Sequence, residues 1–440
     1  MRLTRWAVAL VGLSGLACSE AGPAAPGSST ADLNRLLLRA GVVPLQPAPS
    51  APAALVELGR ALFFDKALSG DRNIGCSTCH NPVYHTSDLL PLSIGTGGHH
   101  PGGGRQLGSG QFTTRGALDL FDRGNAEWHS LFYDGRVELI AGSLHTPAGG
   151  ALPAELSGPL AAQALFPILA RVEMRGLSGS NDLAAYPDSD FAGIWTAIMR
   201  RLDSLPGYDT LFSAAYPQIA RSDRGIALVG NAIAAFVGTT WTTGGSAFDR
   251  FLMGDTLALT EPARRGSALF FGRARCGQCH RGALLTDQLY HNIGIPSMGP
   301  GLNGGPDIGR AGVTHQSEDR YAFRTPPLRN VALTAPYMHN GVYSTLERAV
   351  RHYTNPGAAL VTFDTATIDP RLRSTLDRSP ATLADILGTL DPKVRKPLAL
   401  SAAEVQELTA FLMALTDPAS GNLLGDIPAR VPSGLSIFDR

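Results

Sequence analysis

Apolar residues recur at intervals of three and four along most of this chain, which is the pattern of helices packed on a core. The repeats predict helices over residues 160–174, 191–202, 224–239, 260–271, 346–353 and 402–415. Ser401 and Glu404 have the spacing of a capping box at the start of the last helix. Strand-like alternation is rare, and glycine-rich stretches at 95–110 and 294–312 predict long loops. The pattern therefore predicts a mainly α fold with long loops.

The chain also repeats itself loosely. Residues 59–64 and 266–271 are apolar hexapeptides that begin with Gly and end in Phe-Phe, and each has the pattern of a helix end. Residues 132–135 and 338–341 are tetrapeptides that end in Asp-Gly and Asn-Gly. Both pairs are offset by roughly 206 residues, as a tandem duplication would give. The offset predicts two domains of similar plan.

The N-terminal segment has the pattern of an export signal. Arg5 precedes an apolar run over residues 6–17, and Cys18 follows it. The run is too short for a stable membrane span, so residues 1–18 are predicted to be a signal peptide. The small residues before Cys18 favour a lipoprotein type with a lipid on that cysteine, and ordinary cleavage nearby is the alternative. Either way the mature protein is expected outside the cytoplasm.

Composition limits the number of buried cores and the kinds of partner. The 440 residues are 44% hydrophobic, which is enough for two or three buried cores. The 37 Lys and Arg residues balance 37 Asp and Glu residues without a basic stripe, which argues against nucleic acid as a partner. Residues 19–52 are rich in Ala, Pro, Gly and Ser and are predicted to form a flexible linker. Residues 421–440 have no strong pattern and are predicted to form a surface tail.

Two Cys-x-x-Cys-His motifs carry the candidate chemistry. Cys76 and Cys79 precede His80, and the same triplet recurs as Cys276, Cys279 and His280. Thiols at this spacing form thioethers with the two vinyl groups of one haem, and the adjacent His then ligates the iron. The motifs therefore predict two covalently bound haem c groups. A zinc site or a redox dithiol is the alternative, but neither requires a His after each pair.

Together with segments 132–136 and 323–341, these motifs resemble the bacterial dihaem cytochrome c peroxidase and MauG superfamily over residues 54–420. The resemblance implies two tandem cytochrome-c-like haem domains. One would be an N-terminal peroxidatic domain at 53–254, and the other a C-terminal electron-transfer domain at 255–420. It also implies that hydrogen peroxide is cleaved at the first haem while the second haem relays electrons.

The resemblance assigns residues to the first haem pocket. Gln163 and Glu173 match the family's distal glutamine and acid-base glutamate in their spacing. Such a carboxylate can take a proton from one peroxide oxygen and return it to the other. Thr96 stands where the peroxidases place a His that caps the resting iron. The first haem is therefore expected to be open in the ferric state, unless His99 or His100 substitutes for that ligand.

Two tyrosines depart from the peroxidase pattern. Tyr133 stands where the family carries a Trp between the haems, and it is expected to serve as the relay, with Trp128 as a nearby aid or a core residue. Tyr353 stands where the peroxidases place a Met ligand of the second haem, which is similar to MauG. A phenolate donor would stabilise the ferric and higher states. His352 and Met338 are the alternative ligands.

The resemblance also implies a calcium ion between the domains, held mainly by backbone carbonyls. Thr334 and Pro336 match two of those positions, whereas Gly116 replaces the usual Asn ligand. Calcium is therefore an open alternative.

The function implied is that of a periplasmic, peroxide-dependent oxidoreductase. It would take electrons from a small redox protein, a cytochrome c or a cupredoxin, or it would oxidise Trp or Tyr residues on a partner protein as MauG does. A non-catalytic dihaem electron carrier is the alternative from another class. The membrane is an expected partner only through the lipid at Cys18.

Overall fold

The computed structural model describes residues 30–302 and 304–438, so the predicted signal peptide and Cys18 lie outside the described residues. The chain is mainly helical. Its α-helices are α1 Thr30–Arg39, α2 Ala53–Phe64, α3 Cys76–Cys79, α4 Pro159–Gln163, α5 Phe191–Asp203, α6 Pro206–Ala215, α7 Ile226–Thr240, α8 Ala247–Leu252, α9 Glu261–Phe271, α10 Ala311–Thr314, α11 Leu346–His352, α12 Pro356–Val361, α13 Pro380–Gly388, α14 Pro392–Arg395 and α15 Ala402–Met413.

Strands are short. They are β1 Ser130–Leu131, β2 Val137–Ile140, β3 Ser143–His145, β4 Tyr290–His291 and β5 Phe323–Arg324. The first three form one antiparallel sheet in chain order, and β4 pairs with β5 in a second sheet. Across the described residues, no helix is both long enough and apolar enough to cross a membrane.

Five of the six predicted helices are confirmed as α5, α7, α9, α11 and α15, and α15 begins with the predicted capping box. The helix predicted over 160–174 is wrong. The α4 helix ends at Gln163, a 3₁₀ turn starts at Pro167, and residues Arg171–Arg175 form a π-helical turn. Proline has no N–H to donate and its ring clashes with the preceding turn, so an α-helix cannot continue through Pro167.

Two hydrophobic cores define two lobes. In each lobe, two helices cross closely at a glycine. In the first lobe α2 crosses α7 at Gly59, where a Cβ would overlap the carbonyl oxygen of Ala232. In the second lobe α9 crosses α15 at Gly266, where a Cβ would overlap the carbonyl oxygen of Glu407. Only glycine permits backbones to approach so closely. The sequence repeat at 59–64 and 266–271 is therefore also a repeat of structure.

Each end of the described chain packs on the opposite lobe. Leu33 and Leu37 of α1 are buried in the second core, as is Val42, so the predicted flexible linker at 19–52 is wrong over residues 30–42. Segment 423–437 returns to the first lobe, where Val431 is buried and Asp426 accepts a hydrogen bond from Trp241 Nε1 at 3.0 Å. The prediction of a surface tail is therefore also wrong.

The second lobe begins earlier than the predicted boundary at residue 255. Phe248 and Phe251 of α8 are buried in the second core, where Phe248 packs edge-on against Phe411 of α15 at 5.1 Å between ring centroids. Helix α8 is anchored by a capping box of Ser246 and Asp249. Its apolar face, turned toward α15, places the start of this lobe at residue 247.

Candidate functional site

The two Cys-x-x-Cys-His segments have the same local geometry. The backbone N–H of His80 donates to Cys76 O at 2.9 Å, and that of His280 donates to Cys276 O at 2.9 Å. His80 Nδ1 lies 3.3 Å from Thr86 O, and His280 Nδ1 lies 3.1 Å from Leu285 O. A proton on each Nδ1 leaves the Nε2 lone pair free. Burial lowers the pKa of both imidazoles to about 4, so both rings are neutral, as an iron ligand must be.

These observations fit covalent haem at both motifs. Cys76 and Cys79 pack against the first core, whereas Cys276 packs against the second, so the four cysteines do not assemble one zinc site. Around the second motif, a cavity of about 250 Å³ is lined by Cys276, Cys279 and His280. Tyr353 lines the same cavity, together with apolar side chains of the second lobe.

The structure separates the three candidate ligands of the second haem. Tyr353 follows the end of α11 and lines the cavity, and burial raises the pKa of its phenol. His352 points elsewhere, because its Nδ1 accepts from the Tyr343 hydroxyl at 2.8 Å and its Nε2 donates to Ile293 O at 2.6 Å. Both ring nitrogens are occupied, so the alternative of His352 as ligand is wrong. Met338 lines the cavity and stays an alternative.

Glu173 lies on the π-helical turn, near the first motif. The turn is defined by the N–H of Arg175, which donates to Ala170 O at 3.0 Å across five residues. Such turns are rare and occur mostly at functional sites. Burial raises the pKa of the Cys79 thiol, and the Asp88 and Glu173 carboxylates raise it further, so Glu173 lies within electrostatic reach of Cys79. Gln163, half-buried, is the last residue of α4.

The charge on Glu173 is set by opposing effects. Burial raises the pKa of its carboxyl, whereas the guanidinium groups of Arg136 and Arg115 lower it. Among the described residues, none forms a hydrogen bond to this carboxylate. A raised pKa and a free acceptor are the properties of a carboxyl that can exchange protons with a bound substrate.

The loop that carries Thr96 is clamped to this turn. The Thr96 N–H donates to Glu173 O at 2.9 Å, and a Cβ at Gly95 would overlap the carbonyl oxygen of Val172. The Thr96 hydroxyl donates toward the side-chain oxygens of Asp71 and Asn73, each 2.9 Å away. This hydroxyl is therefore occupied by other partners and is not free to act as a ligand.

The glycine-rich loop at 95–110 is ordered by one buried side chain that the sequence pattern did not reveal. The Arg105 guanidinium donates to Ile94 O at 2.7 Å and to His100 O at 3.0 Å. His99 Nε2 lies 3.1 Å from Gln106 Oε1, and His100 is exposed. Neither imidazole is therefore turned toward the first motif in this arrangement, and the predicted substitution of His99 or His100 for the missing cap has no support from these contacts.

Tyr133 lies where the lobes meet. Its carbonyl accepts from Arg324 N at 2.7 Å, and its side chain lines the second cavity. Two guanidinium groups lie over the Trp128 ring, Arg123 at 4.6 Å and Arg324 at 5.0 Å from its centre. Two nearby cations disfavour removal of an electron from an indole. Tyr133 is therefore the better placed of the two for a relay, and Trp128 is buried in the first core, as its alternative role predicted.

A buried ion network joins the lobes. Arg115 donates to Asp307 from Nε at 2.7 Å and from Nη2 at 2.8 Å, and its Nη1 lies 2.7 Å from Asp134 Oδ2. Arg136 pairs with the same Asp134 at 2.9 Å. Although burial alone would raise it, these arginines hold the pKa of Asp134 well below its usual range. Sequence reasoning missed this network because its members are far apart along the chain.

The calcium ion that the resemblance implies stays a prediction. Thr334 and Pro336 line the second cavity, but Gly116 has no side-chain donor and its N–H donates to His339 O at 2.9 Å. Elsewhere in the described residues, Cys279, Asp287 and His291 bring three metal-binding atoms within 4.8 Å of one another. A thioether at Cys279 would remove the thiolate from that group, so haem attachment and a metal there exclude each other.

Comparison with known proteins is consistent with this geometry. The sequence model of the di-haem cytochrome c peroxidase family matches residues 53–257. The methylamine utilization protein MauG of Methylorubrum extorquens is 32% identical over 363 residues, covering 81% of this chain and 85% of that protein. The cytochrome-c peroxidase IdrP2 of a Pseudomonas strain is 28% identical over 401 residues, covering 86% and 85%. A crystal structure of a MauG-like protein associated with microbial copper homeostasis aligns with a TM-score of 0.61 at 27% identity, covering 88% and 96%.

Proposed function

Since the chain belongs to the di-haem cytochrome c peroxidase and MauG family, we propose that it is an exported dihaem oxidoreductase that reduces hydrogen peroxide. Cys76 and Cys79 would attach the first haem with His80 on its iron, and the second motif would hold the other haem in the same way. When bound, the haems supply the redox chemistry. We further propose that the protein works in the periplasm, anchored through a lipid on Cys18.

Glu173 carries the peroxide chemistry in this proposal. Reduction of one hydrogen peroxide to two waters consumes two electrons and two protons. The carboxylate takes the proton from one peroxide oxygen and delivers it to the other, which becomes the leaving water. The free carboxylate on a π-helical turn, within electrostatic reach of Cys79, is the single observation that carries the proposal. Gln163, at the end of α4, is assigned to orient the peroxide.

Two features favour an active ferric state. The Thr96 hydroxyl is occupied by Asp71 and Asn73, which supports an open position at the first haem. Tyr353 lines the second cavity, and its phenolate would be the second ligand of that haem beside His280. A hard anionic oxygen stabilises the ferric form. Peroxide would then react without prior reduction of either haem.

Oxidation of Trp or Tyr residues on a partner protein is the second candidate function. The same Thr96 and Tyr353 favour it, because an oxidised enzyme that forms without electrons from a donor can take them from a protein side chain. In both candidates Tyr133 carries electrons between the lobes. A simple electron carrier is disfavoured, because it would have no use for a free carboxylate at Glu173.

The test is to add hydrogen peroxide to the fully ferric protein, without reductant, and to follow both haems by EPR. Loss of both the high-spin and the low-spin ferric signals supports the proposal. No reaction until one haem is reduced would indicate a hidden ligand on the first haem and refute the assignment of Thr96. Two molecules of reduced cytochrome c oxidised per peroxide would indicate a peroxidase, whereas turnover only with a protein substrate would indicate the second candidate.

A further inference from the structure

Two chain segments contact the second motif at the surface. The end of α1 meets the motif where the N–H of Gly282 donates to Ala40 O at 3.1 Å. The segment that contains α14 meets it from another side, where Arg275 Nη2 donates to Lys396 O at 3.3 Å. Lys393 Nζ lies 3.8 Å from Cys279 Sγ. These segments therefore form a rim around the attachment point of the second haem.

The rim is rich in cations. We define the cationic rim as Arg39, Arg273, Arg275, Arg281, Lys393, Arg395 and Lys396. It contains two of the three lysines of the chain, although the chain as a whole has a formal net charge of zero. Elsewhere on the described surface, pairs such as Arg264 with Glu261 and Arg351 with Glu347 place a carboxylate beside the cation, whereas most of the rim cations have no such partner.

The acidic side chains near the rim offset only part of this charge, and one of them, Asp287, lies 3.7 Å from Lys393 Nζ. Asp287 has a side chain that is 0% exposed and lies 3.1 Å from His291 Nε2, and Asp391 lies 2.6 Å from His291 Nδ1. Both carboxylates are therefore engaged by the His291 ring. Glu404 is paired with Arg273. The charge presented to solvent is therefore positive.

Apolar groups lie beside the cations. Leu38 on α1 is 79% exposed and Val43 is 49% exposed, and both are close in sequence to Ala40, which contacts the motif loop. Large exposed apolar side chains next to a charged rim are typical of surfaces that bind other proteins. The end of α1 is thus an apolar contact next to the cationic rim.

The rim also leads to the redox site. Arg275, Lys393 and Lys396 line the same cavity as Cys276 and Cys279, so the surface and the cofactor attachment are separated by one layer of side chains. A partner bound at the rim would therefore lie close to the second haem. A lipid surface would gain contacts at the rim but has no electrons to exchange. The position therefore favours a redox protein.

We infer that the cationic rim, with Leu38 and Val43, is the docking surface for a small redox protein that presents an acidic face. The inference rests on the proposed function and adds the location and charge of the partner site. The acidic donor gives one electron in each encounter, so two encounters supply the two electrons that reduce one peroxide to two waters. A basic donor would be repelled by the same rim, because like charges across an interface slow association.

The test compares two triple variants with the same change in net charge. The rim variant is Arg39→Glu/Arg281→Glu/Lys396→Glu, and its control is Arg200→Glu/Arg221→Glu/Arg430→Glu, which reverses exposed arginines packed on the first lobe. The donors are a reduced acidic bacterial cytochrome c and a reduced basic mitochondrial cytochrome c. The readouts are the rate of donor oxidation with peroxide and, separately, the Kd for the oxidised acidic cytochrome c by calorimetry.

We expect only the rim variant to lose activity with the acidic donor, and we expect the loss to be largest at low ionic strength. Charge steering changes association rates by about tenfold to a thousandfold, so the rim variant should oxidise the acidic donor about tenfold to a hundredfold more slowly and bind it more weakly. The difference should shrink as ionic strength rises. The control variant should keep the parent rate and Kd, and the parent should prefer the acidic donor to the basic one.

Several outcomes would overturn the inference. These are an equal loss in the two variants, a preference for the basic donor, or a rate that does not depend on salt. Binding of phosphatidylglycerol vesicles through the rim, without binding of the acidic cytochrome c, would reassign the surface to lipid. The EPR response of the ferric protein to peroxide is measured on the same samples. Its absence would refute the proposed function, while the Kd comparison would still decide the docking surface.

Discussion

Arg115 offers the sharpest test of how the two lobes are joined. Its side chain is 7% exposed and forms three contacts of 2.7 to 2.8 Å with Asp307 and Asp134, whose side chains are 5% and 6% exposed. In the variant Arg115→Met, Asp134 keeps its pair with Arg136 at 2.9 Å. Asp307 keeps only the N–H of Gly309 at 3.0 Å. The variant therefore leaves one buried carboxylate without a cation.

The magnitude follows from that orphaned charge. Removing one partner of a buried ion pair costs about 3 to 5 kcal/mol, because the remaining charge stays out of water. Unfolding entropy of about 2.1 cal/mol/K per residue gives about 0.9 kcal/mol/K for a chain of this length. The melting temperature should therefore fall by about 3 to 5 °C. The loss should be largest near neutral pH and shrink as the pH falls, because a protonated Asp307 has no charge to bury.

Calorimetry of the haem-loaded protein is the assay, with Arg265→Met as the matched control. Arg265 also contacts two carboxylates, Glu407 at 2.6 Å and Glu261 at 3.2 Å, but its side chain is 38% exposed. Exposed pairs contribute about 0 to 1 kcal/mol, so this variant should lose about 1 °C or less. The double variant Arg115→Met/Asp307→Asn should regain part of the loss. If Arg115→Met melts no earlier than Arg265→Met, the argument from burial is wrong.

Three further predictions concern the candidate site. Glu173→Gln should slow the reaction of ferric protein with peroxide by about 10² to 10⁴. Because burial raises the pKa of Glu173, the parent rate should be complete above that raised pKa and fall below it, which stopped-flow traces across pH would measure. Tyr353→Phe should convert the low-spin EPR signal of the second haem to high-spin, whereas His352→Gln should leave it low-spin. Gly95→Ala should displace the turn that carries the distal carboxylate and lower both the melting temperature and the peroxide rate, whereas Gly104→Ala, with nothing within 4 Å of its Cβ, should change neither.

The local sequence pattern was sufficient to predict most of the helices. It was not sufficient to predict where a helix is interrupted. Helices such as α9 and α15 have an apolar stripe and a capping residue, and both signals act within a few residues. The stretch at 160–174 has the same stripe but contains Pro167, whose effect on the backbone outweighs the pattern. The π-helical turn that follows depends on the clamp from Gly95 and Thr96, which is a contact between distant segments and has no local signal.

The ends of the chain show why composition misleads. The region 19–52 is rich in Pro, Gly, Ala and Ser, yet Leu33 and Leu37 are spaced by one helical turn and bury that face on the second lobe. That spacing was a signal, and the surrounding composition concealed it. Val431 has no such signal, since a single apolar residue in a polar segment is common on surfaces. Only the packed structure shows that it completes a core.

For the candidate site, the motifs located the attachment points but not the choice between neighbours. Tyr353 and His352 are adjacent, and on a helix adjacent side chains point about 100° apart. Only the hydrogen bonds of His352 to Tyr343 and Ile293 show which of the two faces the cavity. The roles of Tyr353, Glu173 and Gln163 stay predictions, since geometry alone does not test them. The buried Arg115 could not be paired from sequence, because Asp307 lies 192 residues away.

The exchange of ends between the lobes has a consequence for the order of biosynthesis. The first core lacks Val431 until the segment after α15 has been made, and the second core, although it receives α1 early, waits for its own later helices. Neither core is therefore complete until its C-terminal residues have been made. In the closed fold, burial raises the pKa of Cys76 and of Cys276 to about 12, so both thiols would be protonated. Late closure thus leaves a period in which the thiols of an open chain are still accessible for thioether formation, and each fold then completes around a cofactor already in place.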